Sequence, residues 1–110
     1  MRRYLHQFSY SQESLKVMVG KPQDRRAVAE ELMAAAGGKL IDMYLSFGDY
    51  DGVVIAEYPS HVDAAAVAMA AGASGAFSQM KTTVLISMDD SLDAMAKAGE
   101  VAGHAGRGLV

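Results

Sequence analysis

The side chains best suited to proton transfer in this sequence are Glu57 and His6. Glu57 comes late in a β-rich run that also contains Val53 and Ile55. If that face of the strand is enclosed, the loss of hydration would raise the pKa of Glu57 and suit it to act as a general base. The alternative interpretations are a salt bridge to Lys81 or a solvated carboxylate at the rim.

His6 is the only one of the three histidines that lies in a predicted strand. It would serve as a general base or a haem ligand only if the even-numbered positions of strand one faced away from the helices that cover the sheet. The alternative interpretation of a lone strand histidine is a structural residue. No His-x-His or Glu-x-x-His spacing supports a metal site, so we expect no metal and no cofactor, with haem on His6 as the alternative.

Four further polar side chains are candidates for contacts with a ligand. Gln7 and Tyr44 would hydrogen-bond a small polar molecule, and Lys81 and Thr83 lie on the same predicted face. Together with Glu57 they make up the predicted ligand pocket. The alternative for Tyr44 is burial at a subunit interface with its hydroxyl satisfied.

Composition and charge exclude several classes of function. The sequence has no cysteine, which excludes disulfides, thiolate zinc sites, iron–sulfur clusters and thiol catalysis. Its formal net charge is −3 and its ten Lys and Arg residues are scattered, so we expect no nucleic-acid partner. Neither a signal peptide nor a stretch long enough to span a bilayer is recognisable, so we expect a cytoplasmic protein without a membrane partner.

The elements that must position these residues follow from periodicity. Four runs rich in β-branched and aromatic residues are predicted strands, namely residues 4–9, 39–47, 53–58 and 77–88. Ser11 and Ser60 are good N-caps, and Pro22 suits the first turn of a helix. The order β-α-β-β-α-β, followed by a short C-terminal helix, favours an α+β ferredoxin-like antiparallel sheet of strand order 4-1-3-2. We expect a domain over residues 1–98 and a flexible Gly-rich tail over 99–110.

Alternation along the strands predicts two different faces. One face is expected to lie beneath helices with Leu15, Val28, Leu32 and Val67, and it carries His6, Phe8, Tyr10, Ile41, Met43, Leu45, Phe47, Val54, Ala56, Met80, Val84, Ile86 and Met88. The other face, called here the open face, mixes polar residues with Leu5, Val53, Ile55 and Leu85. Soluble monomers rarely leave such an apolar patch exposed. We therefore expect a homodimer, with the possibility of a higher oligomer, and a pocket between the two sheets.

The turn between strands two and three resembles a known family signature. Its residues are Phe47-Gly48-Asp49-Tyr50-Asp51-Gly52-Val53-Val54-Ile55. They resemble the Gly-x-Tyr-Asp signature of the GYD domain family, in which Gly48, Tyr50 and Asp51 are the signature residues. Ser9-Tyr10-Ser11 is similar to the end of the family's first strand, and Ala76-Phe77-Ser78 and Lys81-Thr82-Thr83 are similar to its fourth strand.

The resemblance implies a ferredoxin-like domain of the dimeric α/β-barrel kind. Proteins with that barrel include cofactor-independent monooxygenases, haem-degrading enzymes, lactone isomerases and stress-response proteins, so fold alone does not select an activity. We expect a homodimeric module that binds a small molecule between its sheets. The alternative is a cofactor-independent monooxygenase or isomerase for a small aromatic or carbonyl compound, with Glu57 or His6 as the base. Whether the protein is an enzyme stays open at this point.

Overall fold

The computed structural model describes residues 1–105, which form four strands and four helices. In chain order the elements are β1 (Arg2–Tyr10), α1 (Gln12–Gly20), α2 (Arg26–Ala35), β2 (Lys39–Leu45), β3 (Gly52–Tyr58), α3 (His61–Ala73), β4 (Phe77–Leu85) and α4 (Met88–Ala105). All strand pairs are antiparallel, and the sheet order is β2-β3-β1-β4. This is order 4-1-3-2 seen from the opposite edge, so the ferredoxin-like α+β fold is confirmed.

The helix starts follow from local hydrogen bonds. Ser11 Oγ accepts a bond from the Ser14 N–H at 3.2 Å, which caps α1. Ser60 Oγ accepts from the Asp63 N–H and donates to the Asp63 carboxylate at 2.9 Å, which fixes the first turn of α3. Both predicted caps are therefore confirmed.

Two helix boundaries differ from the sequence-based expectation. The second helix begins at Arg26 rather than near Pro22, and the Asp24 side chain accepts a hydrogen bond from the Arg26 N–H at 3.0 Å at this start. The C-terminal helix continues to Ala105 instead of ending at Ala98. Glycine lowers helix propensity by only about 1 kcal/mol per residue, and the alanines around Gly99 and Gly103 carry the helix onward. Residues 106–110 of the expected tail lie outside the described residues.

The core lies between the sheet and helices α2 and α3. In β3 the even-numbered Val54, Ala56 and Tyr58 are buried, whereas the odd-numbered residues are half-buried. The buried cluster consists of Tyr4, Phe8, Tyr10, Met33, Val54, Ala56, Tyr58, Ala64 and Val67. Alternation thus assigns one sheet face to the helices, as expected for an antiparallel sheet.

Several residues predicted for the core are exposed instead. Phe47 lies beyond the end of β2 and is 96% exposed, and Val84 on the edge strand β4 is 61% exposed. The other exposed members of the predicted core and its helix contacts are Leu15, Val28, Ile41, Leu45, Ile86 and Met88. Ile41 falls at a register shift between Leu40 and Asp42, so Leu40 takes the inward position. The helices cover the centre of the sheet and leave its edges open.

Helix α4 has few contacts with the rest of the described chain. Met88, Leu92, Met95 and Val101 are all exposed along it. None of the helices within residues 1–105 combines the length and the apolar character that a membrane crossing requires.

Candidate functional site

The five predicted pocket residues share the open face of the sheet. The register places Gln7 beside Val53 on β3 and beside Lys81 on β4. Tyr44 lies opposite Val53 from the other side, and Thr83 lies opposite Leu5 in the next row. Glu57 has the same odd-numbered parity on β3. Strand alternation therefore brings Gln7, Tyr44, Glu57, Lys81 and Thr83 to one surface.

A cleft of about 330 Å³ opens at one end of this face. Its lining consists of Gln7, Ser46, Phe47, Gly48, Asp49, Tyr50, Val53 and Lys81. Of the predicted pocket residues, only Gln7 and Lys81 line it. Tyr44, Glu57 and Thr83 share the sheet face but lie outside the cleft. The cleft thus combines an amide and an ammonium group with the exposed ring of Phe47 and the signature turn.

Glu57 has a different ionic partner from the one proposed from the sequence. Its carboxylate accepts a hydrogen bond from the Arg3 guanidinium at 3.2 Å. The β1–β3 register places Arg3 directly opposite Glu57, whereas Lys81 stands beside Gln7 two rows away. The salt bridge to Lys81, one of the two alternative interpretations of Glu57, is therefore not formed. An ion pair this open to solvent contributes at most about 1 kcal/mol to stability.

Tyr44 is held by a neighbour on its own strand. Its hydroxyl donates to the Asp42 carboxylate two residues earlier, and the ring is 56% exposed. The pKa of Tyr44 is raised, first by this hydrogen bond and then by the negative charge of Asp42. The phenol therefore stays protonated at neutral pH and presents a polar edge on the open face.

Hydrogen bonds of Asp51 connect the signature turn to the end of β1. The Asp51 carboxylate accepts from the Tyr10 N–H at 3.0 Å, and the Asp51 N–H donates to the Phe8 carbonyl at 2.8 Å. The Asp49 carbonyl accepts from the Gln79 amide at 2.6 Å. These bonds fix the position of the loop that carries Phe47 and Tyr50 beside the cleft.

His6 lies on the opposite side of the sheet, beneath the helices. It is 3% exposed, its Nε2 is 2.8 Å from the Tyr58 hydroxyl, and its Nδ1 is 2.9 Å from the Thr82 hydroxyl. Burial lowers the pKa of His6 and raises the pKa of Tyr58 to about 12. His6 is therefore a neutral ring in a satisfied polar cluster, and it cannot act with Glu57 on one ligand because the sheet separates them.

The residues around His6 do not fit a haem. Axial ligation requires one free ring nitrogen directed into open space, whereas both nitrogens of His6 are engaged by hydroxyl groups. The inverted strand parity on which haem ligation depended is not observed, since Phe8 and Tyr10 are buried on the same side as His6. Within residues 1–105, no three His, Asp or Glu side chains are grouped in a way that could hold a metal ion.

Tyr58 and Thr82, the partners of His6, are not predictable from strand alternation alone. The available signal was the alternating aromatic series at Tyr4, Phe8 and Tyr10, which marks the even positions of β1 as apolar. A histidine among them requires buried polar partners. Which strand supplies those partners depends on register, which the series does not reveal.

Two solved structures are similar to this chain, and the first of them shares its fold. The crystal structure of FFRP-DM1 is similar at 20% identity with a TM-score of 0.53, and the match covers 78% of this chain and 100% of that one. The hypothetical protein PHS023 from Pyrococcus horikoshii is similar at 14% identity with a TM-score of 0.49, covering 79% of this chain and 92% of its own. No curated protein matches the sequence. The family model of the GYD domain matches residues 4–95, across all four strands, and the chain therefore belongs to the GYD domain family.

Proposed function

We propose that this protein is a homodimeric binding module whose two open faces meet and hold a small molecule between them. The observation that carries the proposal is the apolar strip on the open face. Leu5 and Ile55 lie directly opposite one another, and Val53 and Thr83 are their neighbours in the ladder. A strip of this kind across the centre of a sheet is unfavourable in water unless another surface covers it.

The occupant of the open face is a second copy of the chain. A twofold axis brings the same patch from both subunits together, so the patch must complement itself. The open face meets this requirement because it carries both signs of charge, with Arg3 and Lys81 as cations and Asp42 and Glu57 as anions. Opposed in a dimer, the apolar centres meet and the charges of opposite sign lie at the rim.

Helix α4 supplies independent support for a second copy. Met88, Leu92 and Met95 follow each other at spacings of four and three residues, which places them along one side of the helix. All three are exposed in the single chain. A partner subunit would remove this stripe from water together with the open face.

The chemistry of the cleft indicates the class of ligand. Lys81 supplies a positive charge and Gln7 an amide donor, while Val53 and the ring of Phe47 supply apolar contacts. A small molecule that carries carbonyl or carboxylate oxygens on an apolar body satisfies all four groups. A second sheet placed over the cleft would exclude water and strengthen the polar contacts.

The first test is the oligomeric state. We expect sedimentation equilibrium at micromolar concentration to give the mass of a dimer, and Ile55→Lys to give a monomer because it inserts two ammonium groups into the apolar centre of the interface. Val62→Lys is the matched control, since Val62 is exposed on α3 away from the open face, and it should remain dimeric. A monomeric wild-type protein, or a dimeric Ile55→Lys variant, would contradict the proposed interface.

The second test is the bound ligand. Native mass spectrometry of the purified dimer is expected to show added mass from a small molecule that is lost on denaturation. Lys81→Glu should lower its occupancy about tenfold or more, because a charge-assisted hydrogen bond is replaced by repulsion. Lys16→Glu, a change at an exposed residue of α1, is the matched control and should leave occupancy unchanged. Equal ligand occupancy in both variants would show that the ligand does not bind in this cleft.

A further inference from the structure

A cavity of about 80 Å³ lies on the other side of the sheet, between its helix-covered face and helices α2 and α3. Its walls are mainly apolar and include Phe8, Leu32, Val67, Phe77 and Met80. Close-packed interiors contain few voids larger than a water molecule, which needs only about 10–15 Å³. A cavity several times that size, lined by hydrocarbon, is suited to an apolar group and unfavourable for water.

Arg25 is the cationic residue at the solvent-facing end of this cavity. Arg25 lines the cavity and also lines the outer cleft formed with Asp24, Arg26 and Met43. Within residues 1–105 Arg25 forms no salt bridge, whereas the adjacent Asp24 and Arg26 pair with one another. Arg25 as a whole residue is half-buried at this position. It therefore offers an unused positive charge at the edge of an apolar space.

Tyr10 adds a polar group beside Arg25. It lines both the cavity and the outer cleft, and its hydroxyl forms no hydrogen bond with any of the described residues. Burial raises the pKa of Tyr10, the positive charge of Arg25 opposes that rise, and the negative charge of Asp51 adds to it. The Asp51 carboxylate is itself engaged by the Tyr10 N–H. The hydroxyl thus remains a free donor close to the guanidinium.

The inner end of the cavity carries no charge that could hold an ion. His6 is the polar group there, and both its ring nitrogens are bonded to hydroxyl groups of the chain. Because burial keeps the imidazole neutral, a charged ligand group is unfavourable at that end. A ligand must therefore place its hydrocarbon inside and its charge at the Arg25 end.

We propose that this cavity binds a small monocarboxylic acid, with its hydrocarbon among Phe8, Leu32 and Phe77 and its carboxylate on Arg25 and the Tyr10 hydroxyl. The volume is about half of the ~150 Å³ of an engineered cavity that binds benzene, so the hydrocarbon is a short branched chain or, at the upper limit, a single ring. The site lies across the sheet from the cleft proposed above, and it does not depend on dimerisation.

The test is titration of the full-length protein with 3-methylbutanoate and with benzoate at pH 7, followed by backbone amide NMR shifts. At least one acid is expected to bind with shifts at Leu32, Phe77 and Tyr10, and its uncharged amide analogue is expected to bind at least tenfold more weakly. Arg25→Gln should weaken binding of the acid by about ten- to a hundredfold, the usual range for a charge-assisted contact.

Lys21→Gln is the matched control, because Lys21 is an exposed cation at the end of α1 that lines neither the cavity nor the outer cleft; it should change the affinity less than twofold. Ala29→Leu, which fills the cavity from α2, should abolish binding while the amide spectrum stays folded. The proposal is overturned if neither acid binds at 10 mM, if the amide binds as well as the acid, or if Arg25→Gln binds as wild type does. Binding retained in the Ile55→Lys variant separates this site from the interface cleft.

Discussion

Acidification below about pH 6.5 is expected to destabilise the folded protein through His6. Burial lowers the pKa of His6 below its ordinary value of 6.5. Between the two values the unfolded chain binds more protons than the folded one, so the free energy of unfolding falls as the pH falls through that window. The contribution of His6 to the free energy of unfolding is complete above pH 6.5. It is lost progressively as the pH falls through the lowered pKa of the folded state. Protonation of folded His6 is unfavourable because the imidazolium would be buried between the hydroxyl groups of Tyr58 and Thr82.

The measurement is urea unfolding of the wild type and of His6→Gln from pH 8 to pH 5. The glutamine amide does not titrate, and it bonds the two hydroxyls imperfectly, so the variant should be about 1–3 kcal/mol less stable than wild type at pH 8. The difference should shrink as the pH is lowered. His61→Gln, at an exposed histidine on α3, should run parallel to the wild-type curve. A constant gap between wild type and His6→Gln would show that His6 carries no acid sensitivity.

Replacing Gly52 with valine is expected to lower the free energy of unfolding by about 3 kcal/mol, the upper end of the usual range for an overpacked core. Gly52 lies opposite Phe8 in the β1–β3 ladder, and the aromatic ring covers it. A Cβ atom at Gly52 would lie 2.4 Å from Phe8 Cε2 and 2.5 Å from its Cζ. Phe8 is buried and packs edge-on against Tyr10 and Phe77, so its ring has little room to move aside.

The matched control for this change is Gly72→Ala in α3. No atom lies within 4 Å of a Cβ placed there, and alanine is the better helix former by about 0.5–1 kcal/mol, so this variant should be slightly stabilised. Thermal or urea unfolding of the two variants gives the comparison directly. If Gly52→Val were as stable as wild type, the ring of Phe8 would have to adopt another rotamer, and the walls of the adjoining cavity would change with it.

The two candidate sites occupy opposite faces of one sheet, and alternation along β1 is what separates them. Gln7 faces the open cleft, while its neighbours His6 and Phe8 line the helix-side cavity. A ligand at either site therefore contacts residues adjacent in sequence without sharing a surface. The variants proposed above distinguish the sites because Lys81 borders one and Arg25 the other.

The sequence by itself determined the order of the strands and main helices and the two faces of the sheet. The caps at Ser11 and Ser60 bond within three residues, so nearest neighbours encode them. The even and odd positions of β3 alternate between a buried and a half-buried face, and a period of two is visible in any strand with one covered side. The resemblance to the GYD domain family rested on a nine-residue turn between two strands and on matches in the first and fourth strands, and the family model over residues 4–95 confirms it.

Only the tertiary structure decided which side chains meet. His6 bonds Tyr58 and Thr82, which are 52 and 76 residues away, and Glu57 pairs with Arg3 rather than with Lys81. Such partners depend on how strands are aligned, and many alignments leave the same residues on the same face. Two further features depend on how the helices pack on the sheet. They are the uncovered edges of the sheet and the cavity beside Arg25. Periodicity specifies the side of an element, whereas contact requires the position of two elements relative to each other.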